Sequence, residues 1–178
     1  MIIRLATLGD AAAIARVHTE TWRGTYRGQM PDSVLDGLDS MFSTKFWTEH
    51  LQAGDITTFL IEIKNDIAGF CCLMPSRDPD ADKKIVGEIA AINISPRYWR
   101  QGAGRKLCER AMKEARTSGL TTLTLWVLET NHSAQRFYEA MGLSLDGGRK
   151  TIALGGADLP EVRYRCVLSG RETLLVGK

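Results

Sequence analysis

The sequence has almost no net charge: 23 lysines and arginines stand against 21 aspartates and glutamates, leaving +2. That balance excludes a whole-protein field suited to nucleic acid or to an anionic membrane, so any anion binding has to be local. Long apolar runs are missing too. The opening "MIIRLATLGD" reaches Asp10 without an extended hydrophobic stretch, so neither a signal peptide nor a membrane span is expected. The four cysteines, Cys71, Cys72, Cys108 and Cys166, show no zinc spacing, which points to reduced thiols packed in a cytoplasmic protein. His18, His50 and His132 are scattered, and no metal site is expected. No repeat, low-complexity segment or Pro/Ser-rich linker breaks the chain. Residues 1–178 therefore read as a single domain, long enough to bury a core.

What is present is alternation of strand and helix patterns. Residues 2–6 read as a strand, and Thr7 with Asp10 then matches a capping box ahead of Ala11, Ile14, Ala15, His18 and Trp22 at helical spacing. Short helices are expected near Ser33–Leu38 and over Ser43–Ala53. "TTFLIEI" and "DIAGFCCLMP" form a hairpin around Lys64, Asn65 and Asp66. "VGEIAAINISP" is a strand ended by Pro96, since proline cannot extend the ladder. A helix over 102–118, the strand "LTTLTLWVLE", a helix closed by Gly142 and two final strands, "GRKTIAL" and "EVRYRCVL", complete the order. The pattern implies a mixed α/β fold with a mostly antiparallel N-terminal sheet and one βαβ crossover in the second half.

The chemistry concentrates in "RQGAGRKL", Arg100 to Leu107, a glycine-spaced turn running into a helix. Such a turn suits phosphate, because helix-start amides point outward and the helix dipole adds partial positive charge. Two nucleotide loops fail at one residue. A Walker loop needs Ser or Thr after Lys106, a dinucleotide loop needs a third glycine, and both positions are Leu107.

The flanks settle the comparison. "INISPRYWRQGAGRKL" followed by "LTLWVLETNHSAQRFYEAMGL" resembles the GNAT superfamily of acyl-CoA-dependent N-acyltransferases: strand, proline and Gly-x-Gly opening a helix, then a strand–Asn–helix block. Together the two blocks cover about residues 85–145, and "IRLATLGDAAAIARVH" extends the likeness weakly toward the N-terminus. The resemblance implies a mostly antiparallel central sheet flanked by helices, with two central strands splayed apart and acetyl-CoA lying in the V-shaped gap. It implies that the amides of Arg100, Gln101, Gly102, Ala103, Gly104 and Arg105 hold the coenzyme diphosphate. Gly102 and Gly104 would keep side chains out of the way. Arg100, Arg105 and Lys106 are candidates for added charge or for solvated surface. The backbone of Ile92, Asn93 and Ile94 matches the segment that pairs with the pantetheine arm. Asn131 matches a residue hydrogen-bonded to that arm and is equally suited to capping the following helix. Tyr138 matches a tyrosine beside the coenzyme sulfur, whose phenol can protonate the leaving thiolate; a core tyrosine beside Phe137 is the alternative.

The chain departs from the family pattern at Trp99, where Gln or Arg is common, and at Trp126, where some protein-directed members carry a catalytic glutamate. Glu88 is the remaining candidate for general base, through water, or else a solvated strand-end residue. Period-two alternation places it on the face of Ala90, Ile92 and Ile94, where an unpaired carboxylate is costly. Trp22 and Tyr26, four apart on one helix, are candidates for an amine pocket or for core. The reading is a metal-free N-acetyltransferase moving an acetyl group from acetyl-CoA to a small-molecule primary amine in a ternary complex. The alternatives are a protein N-terminal or lysine acetyltransferase and a non-catalytic acyl-CoA-binding module. A homodimer fits the family.

Overall fold

Seven strands form one sheet in the order β1-β2-β3-β4-β5-β7-β6 in a computed structural model that describes residues 1–168. Residues 169–178 of the expected domain lie outside the described residues. The chain runs β1 (Ile2–Leu5), α1 (Ala11–Tyr26), α2 (Asp32–Asp36), α3 (Leu38–Met41), α4 (Thr44–Ala53), β2 (Thr57–Ile63), β3 (Asp66–Pro75) and β4 (Val86–Ile94). It continues through α5 (Ala103–Thr117), β5 (Thr122–Leu128), α6 (His132–Ala140), β6 (Ser144–Leu154) and β7 (Ala157–Val167). Every neighbouring pair is antiparallel except β4 with β5, which the crossover helix α5 makes parallel. Among the described residues no helix is long and apolar enough to cross a membrane.

Local chemistry explains most boundaries. Lys64 and Asn65 both take left-handed φ, 52° and 63°, the conformation that a two-residue hairpin turn needs. Ser43 caps α4 by accepting from Phe46 N at 3.3 Å. Gly37 divides the single helix expected near Ser33–Leu38 into α2 and α3. The last two strands are longer than expected, eleven residues each, and form a hairpin. The tip of that hairpin packs Ile152, Leu154 and Ala157 against Leu35, Leu38 and Tyr26.

The sheet separates two cores. On one face Leu107, Cys108, Ala111 and Ala115 of α5, with Tyr138 of α6, pack on Phe59, Cys71, Ile89 and Leu125. On the other, Ile14 and Val17 of α1 and Trp47 of α4 pack on Leu60, Phe70 and Cys72. All four cysteines are free and buried in these layers.

A bulge decides which face each β4 residue serves. Cys72 pairs with Ala91 and Leu73 with Ile89, so Ala90 is an extra residue in the strand. Ile92 and Ile94 thereby join Ile89 on the α5 face, while Ala90 and Ala91 pack on the α1 side. Glu88 pairs with Met74, two residues from Cys72, and belongs to the α1 side. The expectation that Glu88 shares a face with Ile92 and Ile94 is therefore corrected, because the inserted residue reverses the alternation.

Parallel pairing between β4 and β5 covers only Val86↔Thr122, Gly87↔Leu123 and Glu88↔Thr124. Thr124 Oγ1 closes it by donating to the Gly87 carbonyl at 3.3 Å. Beyond that point the strands separate. The β3–β4 loop is fastened at the same level: Arg77 donates to Glu88 Oε2 from its backbone N (3.0 Å) and Nε (3.2 Å), and to Oε1 from Nη2. Burial alone would raise the Glu88 carboxyl, but these bonds and the Arg77 charge outweigh it and hold the group below its ordinary 4.5.

A depressed carboxyl contributes stability above the unfolded-state value and loses it as pH falls through the folded one. Glu88→Gln is expected to cost about 1–2 kcal/mol at neutral pH. The difference from wild type should shrink below pH 4.5. Urea unfolding at neutral and acid pH checks this; a gap that is equal at both would contradict the clasp.

Candidate active site

Where β4 and β5 part, a cleft of about 1060 Å³ runs from the glycine turn to the α1–α4 layer. All the residues expected at the site line it except Gln101 and Glu88. Gln101 faces away, its Nε2 donating to the Arg97 carbonyl at 3.0 Å. Glu88 is 2% exposed, and Arg77, which does line the cleft, occupies its carboxylate. The expectation that Glu88 takes a proton from an acceptor is not met by this geometry, since its oxygens already accept three hydrogen bonds and its basicity is lowered.

The turn is built by sequence and anchored at a distance. Ser95 and Pro96 end β4 in a short 3-10 turn, Pro96–Tyr98. Tyr98 donates to Asp66 at 2.9 Å and Arg97 pairs with the same carboxylate at 3.2 Å, tying the turn to the β2–β3 hairpin. Arg100 then takes φ 58° and Gly102 φ 84°, both left-handed, before α5 starts at Ala103. A non-glycine residue in that region costs about 1–3 kcal/mol, the kind of strain found at ligand sites.

Among the described residues the amides of 100–105 have no backbone acceptor outside the helix, the first closing bond being Lys106 N to the Gly102 carbonyl at 3.1 Å. They form a cluster of free donors at a helix start. The two glycines serve differently. At Gly102 a Cβ would meet nothing within 4 Å, so the positive φ is what requires glycine. At Gly104 a Cβ would lie 3.6 Å from Phe137 and 3.7 Å from Ile94, ordinary contact, so packing does not demand glycine. Its bare surface is what the fold leaves open.

Along β4, the Ile94 carbonyl is already used, accepting from Thr21 Oγ1 at 3.0 Å and Trp99 Nε1 at 2.6 Å. The Ser95 N to Ala68 carbonyl bond sets the alternation: Asn93 bonds back to Phe70 of β3, and the backbone of Ile92 is turned to the cleft without that competition. Trp99 thus has a definite place, closing the turn against α1, where its ring lies 3.3 Å from the Cβ position of Gly24.

Across the gap, Asn131 caps α6 through Oδ1, accepting from Ala134 N at 3.1 Å, and still lines the cleft. The capping role is in place, on a residue that also borders the cleft. Burial raises the Tyr26 phenol, offset by a hydrogen bond with Asn131 and reinforced by Glu161. Tyr138 is 8% exposed, lines the cleft, and its hydroxyl has no hydrogen-bond partner among the described residues. Burial raises its pKa far above the ordinary 10, so the phenol stays protonated.

The α1 end holds residues that motif reading missed: Phe42, Phe46, Trp47, His18 and His50 beside the expected Trp22. Glu161 is the one carboxylate among the described lining residues, and Lys150 pairs with it at 3.4 Å. Trp126 Nε1 donates to Asp78 at 3.0 Å, and Arg163 joins Asp78, Asp80 and Asp146. These bonds hold the Arg77 loop against β5 and β7.

Comparison with known proteins agrees with this arrangement. The chain is 28% identical over 174 residues to the uncharacterized N-acetyltransferase YuaI of Bacillus subtilis, covering 90% of this chain and 95% of the relative. It is 28% identical over 143 residues to an uncharacterized N-acetyltransferase of Archaeoglobus fulgidus, covering 80% and 92%. In fold it is similar to the PaiA N-acetyltransferase of Thermoplasma acidophilum solved with coenzyme A. That match has a TM-score of 0.72 and 19% identity, and covers 91% of this chain and 98% of the other. The YncA structure from Salmonella typhimurium, solved with acetyl-CoA, gives a TM-score of 0.70 and 20% identity, covering 96% and 95%. The family model for the acetyltransferase (GNAT) family matches residues 16–143, most of the chain and all of the cleft's central strands, and the protein belongs to that family.

Proposed function

We propose that the protein transfers an acetyl group from acetyl-CoA to a primary amine on a small molecule, by direct attack within a ternary complex. The observation that carries the reading is the continuity of one cleft. It joins the free amides of 100–105, the open edge of β4 and the protonated phenol of Tyr138 to an aromatic chamber under α1 and α4.

In this reading the amides of Arg100 to Arg105 hold the diphosphate, and the backbone of Ile92 with Asn131 receives the pantetheine arm. Acetyl-CoA supplies the thioester. The splayed strands leave its carbonyl reachable from the α1 side only. Tyr138 holds its proton for the departing sulfur. The amine loses its proton to water in the cleft. Arg77 and Glu88 position the loop that roofs that water, and Glu161 adds negative charge at the wall. No step uses a metal, and no cysteine is reactive in this scheme: burial lifts Cys108 to about 12.

Gly104→Val is expected to weaken acetyl-CoA binding at least about tenfold, because its γ-methyls stand over the donor cluster. Gly104→Ala, whose Cβ makes ordinary contacts, should bind much closer to wild type. Calorimetry on both folded variants decides, and unchanged affinity in the valine variant removes the diphosphate assignment.

Tyr138→Phe keeps the ring but removes the proton. General-acid assistance is worth about 10²–10⁴-fold, and a thiolate needs less help than an alkoxide. Turnover should fall toward the lower part of that range with coenzyme affinity little changed. A loss under roughly threefold would reduce Tyr138 to packing.

A further inference from the structure

We infer that the acceptor end of the cleft takes an amine carried on a flat aromatic body with a neutral oxygen substituent, and not a polyamine. The inference rests on the acetyltransferase reading for the reaction, and on the chamber alone for the ligand class.

The chamber is a set of touching rings. His18 stacks on Phe42 at 3.8 Å between centroids and meets Trp47 edge-on at 5.4 Å, and Trp47 meets His50 at 5.1 Å. All four line the cleft. Three polar atoms in this cluster are buried without a hydrogen-bond partner among the described residues: His18 Nδ1, Trp47 Nε1 and His50 Nε2. His18 is 6% exposed and Trp47 2%. Buried polar atoms are nearly always paired, so three orphans in one chamber mark a place where a ligand completes the bonding.

The atoms also say what kind of ligand. Burial lowers both histidines, His18 to about 3, so both imidazoles are neutral and can donate or accept according to tautomer. The Trp47 indole can only donate. An ammonium also only donates and cannot satisfy it, whereas a hydroxyl or carbonyl oxygen can. A phenolic hydroxyl has both functions, an acceptor for the Trp47 indole and a donor for a neutral imidazole.

Charge points the same way. The faces of Trp22 and Phe42 would attract a single cation. A polyamine needs several carboxylates, however, and the one among the described lining residues, Glu161, is already paired with Lys150. Glu88 is sealed by Arg77. What remains at that end is aromatic surface with no unpaired carboxylate among the described lining residues, which gives a polycation nothing to pair with.

The test is calorimetric titration of the protein, with and without coenzyme A, using tyramine, phenethylamine and spermidine. Tyramine should bind at least about fivefold more tightly than phenethylamine, which lacks only the hydroxyl, and spermidine should bind more weakly than either. Trp47→Phe should bring tyramine to the level of phenethylamine, with melting temperature and acetyl-CoA affinity reporting that the variant folds. The wild-type ranking stands without that variant. Spermidine binding best, tyramine gaining nothing from its hydroxyl, or no binding of either aryl amine would each overturn the inference. Thiol release from acetyl-CoA is measured alongside. Aryl-amine binding without release would count against the transferase reading and leave the ligand class intact.

Discussion

The structure depends on a strand pairing that stops early. β4 and β5 run parallel for three residue pairs, ending at Glu88 and Thr124, and then diverge. Unpaired strand backbone is costly when buried and useful when it faces a ligand. The bulge at Ala90 sits just past the last pair, where it twists β4 away and leaves one edge open. The glycine turn follows at the end of β4, and Asn131 and Tyr138 follow at the end of β5. Both sets of groups reach one cleft because the strands that carry them separate.

The two halves of that cleft use different chemistry. The half at the glycine turn is made largely of backbone: free amides at the start of α5 and the open edge at Ile92. Backbone donors are indifferent to neighbouring side chains, which is why Trp99 can replace the family's usual polar residue and take up a structural role on Ile94 and Gly24. The other half is made of side chains from α1 and α4, closed by the β6–β7 hairpin. Its charges are neutralised within the protein, Glu88 by Arg77 and Glu161 by Lys150. What remains toward the ligand is aromatic surface and uncharged nitrogen.

The glycine turn was legible in the sequence, because a turn before a helix carries glycine and proline signals within a few residues. The element order was legible for the same reason, down to the Lys64–Asn65 turn. Glu88 was misplaced because the bulge at Ala90 lies within "AA", which alternates like any strand, and a one-residue insertion flips every later side chain. Its clasp by Arg77 was hidden by the ten intervening residues, most of them in a polar loop. The aromatic chamber was half-seen: Trp22 stood out by its spacing to Tyr26. Trp47 and His50 of α4 and Phe42, just past α3, meet the α1 rings only through docking that tertiary packing sets.

The most direct measurement is amide hydrogen exchange, residue by residue, with and without saturating coenzyme A. The account predicts strong added protection at the amides of 100–105 and at Ile92, with little change at β1 or at the β6–β7 hairpin. If those amides exchange equally fast when coenzyme A is bound, the open edge and the free donor cluster are not its site, and the account is contradicted.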